Sequence, residues 1–261
     1  EEFSQKKGVL GTKDLRRAPE PVRIFYSLFS LVLIPSLGMN VRTLSTFNAF
    51  NIYFAWSLLL QGLDLAVSDA PAANLSICIK NGFSVRYCAL TCLYNILAGA
   101  ASVVLSMHIL APLPLGPPRF DASLVLHVLV SVSLTEIAFY MFHRALHRVE
   151  SLAFLHRLHH CCVFSSLSTN GFFHPLDFLI EFSAPIGIVV YFCLYVFDDP
   201  FALVASVCLI LTWYAMDHEE WLQLPHCLHH KNIDSVYGIY TKMRIGTYHG
   251  GDFVKQVVKR G

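Results

Sequence analysis

An all-α fold, a polytopic membrane bundle of about four spans plus a helical hairpin, follows from three features of this sequence. Hydrophobic residues make up 55% of the chain and charged residues only 14%, far less charge than a soluble domain carries. The charges are segregated. Lys6, Lys7, Lys13, Arg16, Arg17 and Arg23 crowd one terminus, and Lys255, Lys259 and Arg260 the other. Between them lie long apolar runs, and a helix needs about 20 such residues to cross a bilayer, with a range near 17–25.

Six apolar segments can be read, at 24–39, 47–67, 87–112, 122–142, 178–197 and 201–216. The second to fifth reach spanning length, while the first and last are short and read as tilted, partial or re-entrant. Only Asp198, Asp199 and Pro200 separate the fifth from the sixth. Such a break predicts a tight helical hairpin that crosses or dips into the membrane. Residues 1–121 therefore read as a basic segment with the first membrane helices, and 122–261 as a second unit. Low-complexity segments and repeats are absent.

Orientation follows from the basic residues, which favour the cytosolic side. A cytosolic N-terminus, four spans and a returning hairpin bring the chain back to the cytosol just before His143 and again from Asp217 onward. The sequon Asn74-Leu75-Ser76 then falls in a cytosolic loop and stays unmodified. The net charge of +1 gives no sign of a nucleic-acid partner.

The chain has thirteen histidines among 261 residues, so a 19-residue window should hold about one. FHRALHRVESLAFLHRLHH, from Phe142 to His160, holds five. They are His143 and His147, then His156, His159 and His160. A third group follows the last apolar run: His218, then His226, His229 and His230. The pattern His-x-x-His-His occurs twice, as HRLHH at 156–160 and HCLHH at 226–230. Residues three and four apart share a helix face, so each cluster can present a patch of nitrogens. Three patches on one side of the membrane could bind more than one metal ion. Neutral imidazole suits iron, zinc, copper and nickel alike. His108 and His127 read instead as interfacial residues or partners in intrahelical hydrogen bonds, and His249 as a solvated residue of the tail.

These boxes resemble the membrane-bound fatty acid hydroxylase/sterol desaturase superfamily, from about Glu136 to Tyr248. HRALH is similar to the first box, HRLHH to the second and HCLHH to the third. FFHPLD at 172–177 resembles the Phe-His-Pro-x-Asp element of the sterol C5-desaturase branch. MDHEEW keeps His218 of that branch's His-Asp-Gly element. In VYGIYTKMRIGTY, Tyr237, Gly238 and Gly246 match a family element, while Val236, Lys242 and Met243 depart from it.

The resemblance implies two non-haem irons held by His143, His147, His156, His159, His160, His218, His226, His229 and His230, with O2 as co-substrate and no catalytic side chain beyond the metal centre. It implies a lipid substrate, sterol first and fatty acyl or alkylglycerol lipid second. It also implies a cytochrome b5-type electron donor with its reductase, and residence in the endoplasmic reticulum membrane. No nucleotide-binding fingerprint is visible, which fits an external donor.

Carboxylates near the boxes are candidates to hold imidazole N–H groups. Glu136 lies two helical turns before His143 and inside an apolar run, where an ionisable residue is a functional hypothesis by default. Asp177, Asp217 and Glu219 are further candidates. His174 reads as another supporting group behind the ligands, with ligation or capping of a helix at Pro175 as alternatives. The eight cysteines read as reduced bystanders. Two competing functions remain at this level. A zinc lipid hydrolase needs about three protein ligands and an open position, so eight or more histidines are surplus to it. A metal carrier would place polar residues within its spans.

Overall fold

The computed structural model describes residues 21–22, 24–25, 45–110, 112–113, 119–164, 172–217, 225–231, 237–238 and 254. Within them every regular element is helical. In chain order these are α1 (Thr46–Val67), α2 (Ala70–Lys80), α3 (Val85–Leu110), α4 (Ala122–Arg148), α5 (Glu150–His160), α6 (Pro175–Val196), α7 (Pro200–Met216) and α8 (Pro225–Lys231). Most of the 24–39 segment and both basic termini lie outside the described residues.

Among the described residues three helices are long and apolar enough to cross a membrane: Phe47–Val67, Ala122–Arg148 and Pro175–Val196. A shorter apolar helix covers Pro200–Tyr214. Their outward faces carry exposed Leu58, Leu65, Leu126, Leu129 and Met141. α1 packs against α3, and α4 against α5, α6 and α7. Contact between α1 and α3 is close enough that a Cβ on Gly99 would lie 2.5 Å from the Tyr53 hydroxyl.

Capping sets where the helices begin. Ser45 Oγ accepts from Asn48 N–H at 3.2 Å and Asp121 Oδ1 from Leu124 N–H at 2.8 Å. The expected hairpin is present. α6 ends at Val196, Asp198 takes a left-handed φ of 49°, and Asp199 caps α7 through Ala202 N–H at 3.0 Å. The positive φ is an uncommon conformation that Asp tolerates better than most side chains.

Two expectations are corrected. Asn74 is not in a loop but in α2, 1% exposed. Its Nδ2 donates to the Phe164 carbonyl at 2.9 Å, and its Oδ1 accepts from Phe164 N–H at 3.0 Å. Pro71 at the start of α2 supports a helix there, since proline is pre-organised for a first turn. Of the two alternatives read for His127, an interfacial residue or an intrahelical hydrogen bond, the second is not made. Its Nδ1 reaches across to Asp199 Oδ2 at 2.7 Å, and its ring stacks on Phe197. Arg119 also pairs with Asp199.

α6 is not a uniform α-helix. It widens into π-turns at Leu179–Ser183 and Phe192–Val196. Pro185 explains the first. Proline has no N–H to give the carbonyl four residues back, here that of Glu181. The Tyr214 hydroxyl, from α7, donates to that carbonyl instead at 3.2 Å.

Candidate metal centre

Eight of the nine histidines expected as ligands are described, and each is at most 3% exposed. His218 lies outside the described residues, as do Glu219 and His249. The eight do not gather box by box. His143, His147, His156 and His160 form one group, and His159, His226 and His230 another, the ligand atoms within each lying within 4.8 Å of one another. His229 joins the first group, its Nε2 3.1 Å from that of His147.

Helix geometry explains the division. On a helix, positions i and i+4 lie nearly in line, while i+3 is rotated well to one side. In HRLHH the pair His156/His160 therefore faces the first box, and His159 turns toward the third. In HCLHH the pair His226/His230 faces His159, and His229 turns toward His147. Each His-x-x-His-His motif divides its imidazoles between both groups. The sequence reading of one patch per box needs this correction.

The distances suit metal ligation better than mutual hydrogen bonding. His147 Nε2 lies 3.1 Å from His143 Nε2, 3.0 Å from His160 Nε2 and 3.1 Å from His229 Nε2. His160 Nε2 is also 3.0 Å from His156 Nε2. One ring nitrogen offers a single hydrogen or a single lone pair, so His147 cannot satisfy three neighbours by hydrogen bonding. Ligands about 2.1 Å from a shared octahedral ion sit about 3.0 Å apart. In the second group His230 Nε2 is 2.9 Å from His159 Nε2 and 3.3 Å from His226 Nε2.

The opposite ring nitrogens fix the tautomers. His143 Nδ1–H donates to the Tyr237 carbonyl at 3.1 Å, and His156 Nδ1–H to Asp177 Oδ2 at 2.9 Å. Both leave a bare Nε2 facing its group. Burial, then the neighbouring His156, His147, His230 and His229, push the His160 imidazole well below its usual pKa. It is thus neutral and able to ligate. Aromatic rings close the site: Phe173 stacks on His159 at 4.0 Å between centroids, and Phe139 meets His143 and His226 edge-on.

The supporting residues fall as follows. Asp177 is fully buried and holds His156. Glu136 and Asp217 are buried, 4% and 3% exposed. His174 makes the capping contact, its Nδ1 accepting from Leu176 N–H at 3.2 Å. Two residues escaped the sequence reading as site groups. Tyr237 packs its ring on His143, His147 and His229 and receives Arg148 at its hydroxyl. Glu181 approaches His143 Nδ1 at 3.8 Å and His156 Nδ1 at 3.6 Å. Its place four residues after Asp177, on the same helix face, was the available signal. The cysteines form no disulfide among the described residues; Cys161, Cys162 and Cys227 are buried beside the boxes.

Residues 128–245 match the family model described as fatty acid hydroxylase. No curated protein and no solved structure matches the chain. The match supports the superfamily suggested by the boxes and an oxidoreductase of the membrane lipid hydroxylase or desaturase type.

Proposed function

We propose that this protein is a membrane-bound non-haem diiron oxidoreductase that uses O2 to desaturate or hydroxylate a lipid. The observation that carries the reading is the division of both His-x-x-His-His motifs between two adjoining Nε2 groups. Two groups call for two ions, and a ligand set of imidazole alone calls for a metal that accepts nitrogen. His218 is assigned to the same centre, and residues 122–261 to the catalytic unit. Glu136 is assigned a supporting role behind the ligands, and His174 one step further out, where it caps the helix that carries Asp177.

Bound irons supply dioxygen reduction and the oxidation of an unactivated C–H bond. The chain supplies the rest. His143, His147, His156, His160 and His229 would hold one ion, and His159, His226 and His230 the other. Asp177 and the Tyr237 carbonyl keep the His156 and His143 rings turned with Nε2 inward. Such partners behind a ligand set its orientation and basicity. Phe139 and Phe173 keep water from the imidazoles. Exposed apolar helix faces support a bilayer beside the site, from which a lipid would reach it without crossing water.

A sterol is our first assignment, because Phe173, His174, Pro175 and Asp177 resemble the C5-desaturase branch. A fatty acyl or alkylglycerol lipid is the alternative within the same chemistry. We assign the histidine face to the cytosol, the protein to the endoplasmic reticulum, and electron supply to a cytochrome b5-type carrier and its reductase. The test is expression in yeast lacking sterol C5-desaturase, with sterols read by mass spectrometry and metals counted on purified protein. About two irons per chain and a new double bond or hydroxyl in the sterol nucleus are expected. An unchanged sterol profile with a new hydroxylated acyl product moves the substrate to the alternative. One zinc per chain and lipid hydrolysis would replace the whole reading.

A further inference from the structure

We propose that Glu181 is a shared counter-charge of the metal centre, acting through space on the imidazoles of both the first and the second histidine box. The inference rests on the diiron reading above and adds a residue role to it.

Glu181 is 2% exposed, and neither carboxylate oxygen has a hydrogen-bond partner among the described residues. A buried carboxylate left without partners is costly. Its oxygens point at the boxes: Oε1 lies 3.8 Å from His143 Nδ1 and Oε2 3.6 Å from His156 Nδ1. Each of those Nδ1–H groups is already given elsewhere, to the Tyr237 carbonyl and to Asp177. An imidazole Nδ1 carries one hydrogen. Glu181 therefore does not act as an ordinary hydrogen-bond acceptor for either ring. What remains is the negative charge that adjacent divalent ions would favour on it.

The centre has use for that charge. Imidazole ligands are neutral, so two divalent ions would bring four positive charges into a dry interior. Buried cations are tolerated when anions stand close, and the charge of a bound ion dominates the local electrostatics. Asp177 is committed to one ring by its hydrogen bond; Glu181 lies against two, one from each box.

Its placement is built into the backbone. The π-turn Leu179–Ser183 is closed by Ala184 N–H bonding the Leu179 carbonyl, five residues back. π-turns of this kind often mark functional positions. Pro185 withholds the usual hydrogen bond from the Glu181 carbonyl, and Tyr214 supplies one from α7. Glu181 is thus a positioning residue, held from a neighbouring helix and touching no reacting atom.

The experiment uses full-length protein in lipid nanodiscs, loaded with ferrous iron. Three quantities are read for wild type, Glu181→Gln and Glu181→Asp: iron per chain, the rate of iron loss to a chelator, and the midpoint potential by spectroelectrochemistry. Glu181→Gln keeps the shape and removes the charge. Iron should be held about 10–100-fold less tightly, and the potential should move positive, because removing an anion favours the reduced, less charged state. Glu181→Asp should recover most of both changes. A purely structural role would lower the thermal midpoint of the metal-free protein and leave the potential of the loaded protein alone. Should Glu181→Gln not fold, Glu181→Asp decides, because withdrawing the carboxylate by one methylene should give a smaller positive shift and an unchanged potential overturns the proposal. Wild type holding two irons, with Glu181→Gln unchanged in retention and potential, overturns this inference alone. Wild type that takes up no iron overturns the diiron reading and this inference with it.

Discussion

The two ends of α4 carry histidines in opposite settings. At one end the Nε2 atoms of His143, His147 and His229 lie against one another in a fully buried cluster. About 24 Å away along the same helix, His127 pairs with Asp199, which also takes Arg119, while its ring lies on Phe197. The first setting leaves lone pairs converging on a shared point; the second satisfies its imidazole with an acid at the bundle's other end. Histidine in an apolar helix is therefore not itself a sign of metal. The partners of its two ring nitrogens decide.

The sharpest way to break this contrast is mutation at each end. His147→Ala or His160→Ala removes a nitrogen from the most crowded group and should abolish both iron binding and lipid oxidation, read by metal analysis and product formation. His127→Ala should leave iron content at the wild-type level. If His160→Ala kept full activity, the ligand assignment at the first end would be wrong.

A second prediction concerns acid. His160 is held neutral by burial and its imidazole neighbours. In the metal-free protein, the unfolded chain then binds more protons than the folded one below about pH 6.5. Stability should be level above that pH and fall as pH drops below it. Asp199 behaves oppositely. Burial raises its carboxyl, but the Ala202 N–H, His127 and Arg119 outweigh burial and hold it below its usual value. The stability it contributes should persist above about pH 3.9 and be lost below. Hydrogen exchange across a pH series should show α5 and α8 opening before the turn between α6 and α7. Iron should delay the loss at the histidine end, because protons compete with metal for the same nitrogens.

Smaller effects are expected away from the metal. Asp199→Asn weakens the far-end cluster and should cost about 1–3 kcal/mol of stability with no change in iron per chain. Gly99→Ala, where α1 and α3 touch, forces a Cβ against Tyr53. It should cost about 1–3 kcal/mol, partly recovered in Gly99→Ala/Tyr53→Phe, with thermal unfolding as the measurement.

Much of the histidine end was legible because i, i+3 and i+4 spacing survives translation into helix. The hairpin was legible too, from Asp198-Asp199-Pro200 between apolar runs. What escaped depended on partners distant in sequence. α2 read as a loop because it lies between the apolar runs 47–67 and 87–112, yet it is helical and its Asn74 amide pairs with Phe164, 90 residues away. An unmodified Asn74 would thus report the fold as much as the side of the membrane it occupies. Glu181 was hidden for a similar reason: its setting comes from a π-turn made by Pro185 and a hydroxyl on the next helix. The division of the boxes was implicit in their spacing, but became visible only once α5 and α8 faced each other.

That division has a consequence for how the protein is made. Synthesis runs from the N-terminus, so a chain that has emerged as far as residue 160 already owns His143, His147, His156 and His160, four nitrogens of one group, but only His159 of the other. The second group waits for α8, some 65 residues later by sequence number. One ion can therefore be captured on the nascent chain, and the second only after the hairpin has been threaded. A ribosome-stalled chain ending before Pro225 should hold at most one iron, making the order of loading a property of the order of translation.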